Sequence, residues 1–126
     1  QIDLVRTRLY KGGKYISGSE FAHIKQGAKK RNLELSITID DIELIYEAQN
    51  KICVLTGLPL EFNSILKTKD GRRIYGNASV DRIDSTKGYT KDNIQILDKD
   101  VNMAKQQLSQ EDFVNMCCRV TDYYRR

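Results

Sequence analysis

Two residue types stand at spacings that could do phosphate chemistry. In ASVDRIDSTKGYTKDNIQILDKDVNMAK, residues 78–105, Asp81 lies near the end of one short apolar run and Asn102 lies in the segment that follows a second. If the runs are strands and the last segment a helix, a hairpin folded onto that helix brings a carboxylate and an amide oxygen to one point. Hard cations such as Mg²⁺ or Mn²⁺ accept such a ligand set and keep open positions for water and phosphate. Lys87, Lys91, Lys99 and Lys105, with Tyr89 in the loop, surround the same place with phosphate partners.

The elements that must position these residues can be read from pattern. ASVDRI and NIQIL read as strands and DKDVNMAK as a short helix, about residues 98–106. Before them, residues 16–32 place Phe21, Ile24 and Ala28 at helical spacing, with Lys25, Lys29, Lys30 and Arg31 toward the C-terminal end. LELSITI alternates as a strand, and Asp40 is expected to cap a second helix over residues 41–50. CVLTGLPL reads as strand and turn, and ILKTKDGRRIY as a hairpin with Asp70-Gly71 at its tip, beside Arg72 and Arg73. After Ser109 a last helix carries Phe113, Met116, Cys117 and Val120 on one stripe.

Composition sets the outer limits. The 126 residues, 40% of them hydrophobic, make one domain. Its expected parts are a helical portion (1–50), a strand and hairpin (51–77), a ββα unit (78–106) and a C-terminal helix (109–126). A net charge of +4 favours a polyanionic partner. Three cysteines, two of them adjacent, make a poor disulfide framework, and without a Cys-x-x-Cys pair a four-thiolate zinc site is excluded. No apolar run of membrane-spanning length and no signal peptide are present, so a cytoplasmic protein with no membrane partner is expected. A start at Gln1 is read as that of a fragment, which leaves room for a preceding domain.

The segment resembles the HNH endonucleases of the His-Me finger (ββα-metal) group, in particular small phage and mobile-element members. In that family an Asp-His pair ends the first strand and an Asn opens the second. Nine residues later a His or Asn follows on the helix, often with a Lys three further on. Asp81-Arg82, Asn93, Asn102 and Lys105 match in order and spacing. The wording of residues 16–35, 49–57 and 110–118 is also similar, so the resemblance covers most of the chain from about Tyr15.

The resemblance implies an α+β fold with a ββα-metal finger packed between helices. It also implies a metal-dependent endonuclease that hydrolyses phosphodiester bonds of DNA, double-stranded in the first instance. Asp81 and Asn102 would hold Mg²⁺ or Mn²⁺ and Asn93 would be structural; the grouping of Arg72, Arg73, Lys87 and Lys91 about the hairpins, with Tyr89 and Lys105 close by, favours nucleic-acid contact over the alternative of ordinary solvated charges.

The chain departs from the family in two ways. Where zinc-braced members carry two Cys-x-x-Cys pairs, Cys53 stands with Thr56, Asp98 and Val101, so no structural zinc is expected and a hydrophobic brace takes its place. The general-base histidine is Arg82, and a guanidinium cannot accept a proton from water. Similar phage sequences also read D-R-I-D, which marks the arginine as a subfamily feature.

The replacement chemistry assigns catalytic parts to Asp84, as proton acceptor, and to Arg82, as a clamp on the scissile phosphate. Each has a structural alternative: Asp84 as a turn cap, and Arg82 in a salt bridge with Asp81 or Asp84. For the whole chain the alternative is a weakened or inactive HNH-fold DNA-binding module of a larger phage or defence protein. The single histidine, His23, is placed in the first helix, away from this chemistry.

Overall fold

A computed structural model describes residues 4–6, 12–63, 66–72 and 74–126, with side chains at positions 4–6, 66 and 67 left aside. Arg73 lies outside the described residues, so its expected role cannot be placed. The described elements are β1 (Leu4–Arg6), α1 (Gly18–Lys30), α2 (Ile39–Ala48), β2 (Leu66–Thr68), β3 (Ala78–Arg82), β4 (Ile94–Asp98), α3 (Lys99–Lys105) and α4 (Gln110–Tyr124). The fold is α+β. Antiparallel β1 and β2 form one small sheet, and antiparallel β3 and β4 form another, with α3 packed on both strands of the second. No described helix is long and apolar enough to cross a membrane.

Local chemistry explains where the helices begin. Ser17 caps α1 in a capping box with Glu20. Thr38 does the same for α2 with Asp41, each satisfying a backbone donor that the first helical turn leaves without a partner. The expectation that Asp40 caps α2 is therefore corrected. The helix starts two residues earlier, because an acid three residues after Thr38 closes the box. That early start also takes Ile39 out of LELSITI, of which one parallel bridge remains, Leu35 with Tyr89. CVLTGLPL likewise forms no strand. It folds into a tight loop closed by one bridge, Ile52 with Pro59, in which Gly57 takes a φ of 73°.

Asp70-Gly71 does sit at a turn, with Gly71 at a φ of 87° and the Thr68 amide donating to the Arg72 carbonyl at 3.0 Å. The strand leading into it, β2, pairs with β1.

The core gathers Ile16, Ile37, Ile42, Tyr46, Cys53, Leu60 and the β4 residues Ile94, Ile96 and Leu97. Tyr46 donates to the Leu60 carbonyl at 2.6 Å and stacks edge-on against Tyr15 and Phe62. Two side chains from α2 and its C-terminal cap tie the layers together. Glu43 accepts from the amides of Lys14, Tyr15 and Ile16. Gln49 accepts from the Ile96 amide and donates to the Ile96 carbonyl, both at 2.9 Å, so one amide side chain covers the outer edge of β4 as a neighbouring strand would.

Cys53 is buried in this core. Burial works to raise its thiol pKa. Hydrogen bonds from the Thr56 side chain and from the amides of Asp98, Leu55 and Thr56 outweigh that and bring it below the ordinary value. In α4 the expected stripe is packed only in part: Phe113 is buried, whereas Met116, Cys117 and Val120 are exposed.

Candidate functional site

The alternation of β3 decides what faces α3. Ser79 and Asp81, two residues apart, project to the same side of the hairpin. Asn102 and Lys105, three residues apart on α3, project to the same helical face. The two rows meet in register. Asn102 Nδ2 donates to Ser79 Oγ at 3.0 Å, and Lys105 Nζ donates to the two oxygens of Asp81 at 3.1 and 3.4 Å. Ser79 Oγ in turn donates to the Leu97 carbonyl at 3.1 Å. Gln95, the cross-strand partner of Asp81, donates to its Oδ2 and to Gln110 Oε1, each at 2.9 Å, which links the pair to α4.

Asp81 is 5% exposed and Lys105 is wholly buried. Lys105, expected to contact nucleic acid, has its ammonium under the hairpin, where it neutralises Asp81. Asp81 and Asn102 reach the same interface, as the ββα order requires, but neighbouring residues hold them there and they do not hold each other. As hard oxygen donors on one face they suit Mg²⁺ or Mn²⁺. The amide nitrogen of Asn102 is spent on Ser79, so its oxygen is the branch left for a cation. The donor chemistry fits, provided Lys105 gives up its place at Asp81. Among the described residues, no group of three or more His, Cys, Asp or Glu is placed so that it could hold a metal ion.

Asn93 opens onto β4 and ties the loop before it. It is 6% exposed, its Oδ1 accepts from the Asp84 amide at 2.9 Å, and its Nδ2 donates to the carbonyls of Asp84 and Gly88 at 3.0 and 2.8 Å. One side chain thus fixes both ends of the loop between β3 and β4. Asn93→Ala removes three partly buried hydrogen bonds and leaves backbone groups unpaired. A loss of about 2–4 kcal/mol is expected by denaturant titration, against under about 1 kcal/mol for the exposed Lys87→Ala.

Arg82 and Asp84 are engaged in the same loop. Arg82 Nη1 donates to the carbonyls of Ser85 and Lys87 at 2.7 and 2.9 Å, and the guanidinium lies 5.6 Å from the Tyr89 ring centre. Its partners are carbonyls, neither of the two carboxylates considered from the sequence. Asp84 Oδ1 accepts from the Thr86 amide at 2.9 Å and its hydroxyl at 2.6 Å. Those bonds, first the hydroxyl and then the amide, with Lys87 and Arg82 nearby, hold the Asp84 carboxyl below the usual range and make it a weaker proton acceptor. Of the two roles weighed for Asp84, the turn cap is the one its contacts serve.

The remaining cations are dispersed. Lys91 pairs with Asp41 at 3.5 Å and Arg72 with Asp70 at 2.9 Å, while Lys87 is exposed beside Asp84 and Asp92. Tyr89, expected to meet nucleic acid, is 7% exposed, accepts from Arg31 Nη2 at 3.1 Å and so connects the loop to α1.

Two features were missed from the sequence. Lys25, Lys29, Lys30 and Arg31 form an exposed basic end of α1 next to that loop. Their clustering was visible, but their nearness to residues 84–91 depends on the Arg31–Tyr89 hydrogen bond between distant segments. Second, a cleft of about 460 Å³ lies between α1 and β3, and His23, Glu20, Asn63, Ser79 and Lys99 are on its walls. His23 is therefore not remote from the hairpin. Through Ser79 this cleft adjoins Asn102. Compared with family models, curated proteins and solved structures, the chain matches none.

Proposed function

We propose that this domain is an HNH-type, metal-dependent endonuclease acting on phosphodiester bonds of DNA. The observation that carries the proposal is the paired contact between β3 and α3: Asn102 on Ser79 and Lys105 on Asp81. The Asp, Asn and Lys of the motif are thereby gathered at one hydrogen-bonded interface below a loop that Asn93 fastens. Mg²⁺ or Mn²⁺ held by the oxygens of Asp81 and Asn102 would offset the negative charge that grows on the phosphate and leaving oxygen. The chain's own residues do the positioning. Gln95 orients the Asp81 carboxylate, Ser79 orients the Asn102 amide, and Arg82 with Asn93 keeps the loop in shape. The test is conversion of supercoiled plasmid to nicked circles with Mg²⁺ or Mn²⁺.

The second reading, a DNA-binding module without hydrolysis, is favoured by one observation: the guanidinium at the general-base position is spent on two loop carbonyls. Under that reading the protein shifts DNA in a gel and nicks none in either metal.

On both readings the DNA face is expected to centre on the basic end of α1 and Lys87, in place of the Arg72-to-Lys105 path. Lys25→Glu with Lys29→Glu should weaken DNA binding at least tenfold at low salt. It should also lower the salt slope by about one for each phosphate that the variant no longer neutralises. Lys91→Glu, whose ammonium already serves Asp41, should change affinity less than about threefold. Filter binding across a salt series measures both.

A further inference from the structure

We infer that Lys105 is a resident counter-cation at Asp81 that a divalent metal must displace, so that metal and Lys105 compete for one carboxylate. The inference rests on the proposed metal-dependent reading and adds what controls access to its site. Lys105 Nζ lies 3.1 and 3.4 Å from the two oxygens of Asp81 and 3.5 Å from the Arg82 carbonyl, with no part of the lysine side chain exposed. Gln95 donates to Oδ2 as well. The carboxylate is thus neutralised and hydrogen-bonded without a metal.

Magnesium sits about 2.1 Å from an oxygen ligand. A dication that close to either oxygen would lie near the Lys105 ammonium, itself 3.1 Å from Asp81 Oδ2, and the two cations would repel across the buried carboxylate. The lysine has a way out. It is the last residue of α3, and Gln106 after it turns away with a φ of 49°. The side chain can therefore leave the interface without disturbing a following helical turn. Once released, its ammonium would be a phosphate partner beside the same site, the surface role that its buried position now denies it.

Two measurements on the whole 126-residue chain test this. The first is Mn²⁺ affinity, read by the loss of the free-ion electron paramagnetic resonance signal. Lys105→Met keeps the length and apolar stem of the side chain without its charge, and it should bind Mn²⁺ at least tenfold more tightly than wild type. Adding Asp81→Asn to that variant removes the buried charge altogether, guards against misfolding, and should abolish the gain. The second needs no substitution: amine acylation of wild type, mapped by mass spectrometry, should spare Lys105 without metal and label it in Mg²⁺.

Equal or weaker Mn²⁺ binding by folded Lys105→Met, when wild type itself binds, would overturn the competition and leave the metal-dependent reading intact. So would a Lys105 that stays protected at saturating Mg²⁺. Binding by neither protein would remove both the competition and the metal-dependent reading, an outcome distinct from the first two.

Discussion

Asp81→Ala is expected to destabilise the fold by about 3–5 kcal/mol and to reduce nicking more than about 100-fold, two effects with different causes. The first follows from leaving the wholly buried Lys105 ammonium without its counter-charge, which costs more than the net worth of the pair itself. The second follows from losing the single carboxylate proposed to hold the metal, which should exceed the roughly 10–100-fold typical for residues that merely support a ligand. The two causes separate in Asp81→Ala combined with Lys105→Met. Removing both charges should restore most of the stability, by chemical denaturation, and none of the nicking. If the double variant recovers nicking along with stability, Asp81 is a structural residue and has no part in the reaction.

Arg82→Ala is expected to act first on the loop. The guanidinium bridges the carbonyls of Ser85 and Lys87 and rests on Tyr89, which Arg31 also contacts. Losing charge-assisted bonds of this kind should cost about 1.5–3 kcal/mol. Hydrogen exchange of residues 84–89 should quicken more than that of β4. Arg82→Lys should rescue only in part, since an ammonium lacks the planar guanidinium face that rests on Tyr89.

Arg82→His supplies the imidazole that HNH endonucleases carry at the corresponding place, yet it should nick no faster than Arg82→Ala, because position 82 serves the loop. Unchanged stability of Arg82→Ala with a 100-fold or larger loss of nicking would instead make Arg82 a phosphate clamp. Faster nicking by Arg82→His than by wild type would mark the arginine as a weakening substitution.

How much could be read from the chain depended on the range of the interactions. β3, β4 and α3 were legible because their patterns are local: two apolar runs, a polar loop ending in Asn93, and Asp98 capping the helix through the amides of Asp100 and Val101. The role of Asn93 was legible for the same reason, its partners being Asp84 and Gly88 of the adjacent loop. The start of α2 was misplaced because Thr38, Asp40 and Asp41 all qualify as caps, and only the reciprocal bond between Thr38 and Asp41 decides among them.

The fate of Lys105 was not legible at all. A lysine at a helix end is ordinarily at the surface, and its burial follows from the register of α3 against β3, set by the pairing of Ser79 with Asn102. The cleft that brings His23 near Ser79 likewise depends on how α1 lies along β3, a relation between segments far apart in the chain.

The most direct measurement is plasmid nicking by wild type and by Asp81→Asn, matched for folded fraction, in Mg²⁺, in Mn²⁺ and in excess chelator. Nicked circles are expected from wild type only when metal is present, and at least 100-fold fewer from Asp81→Asn. Wild type that binds the plasmid without nicking it in either metal, or Asp81→Asn that nicks at the wild-type rate, would contradict this expectation.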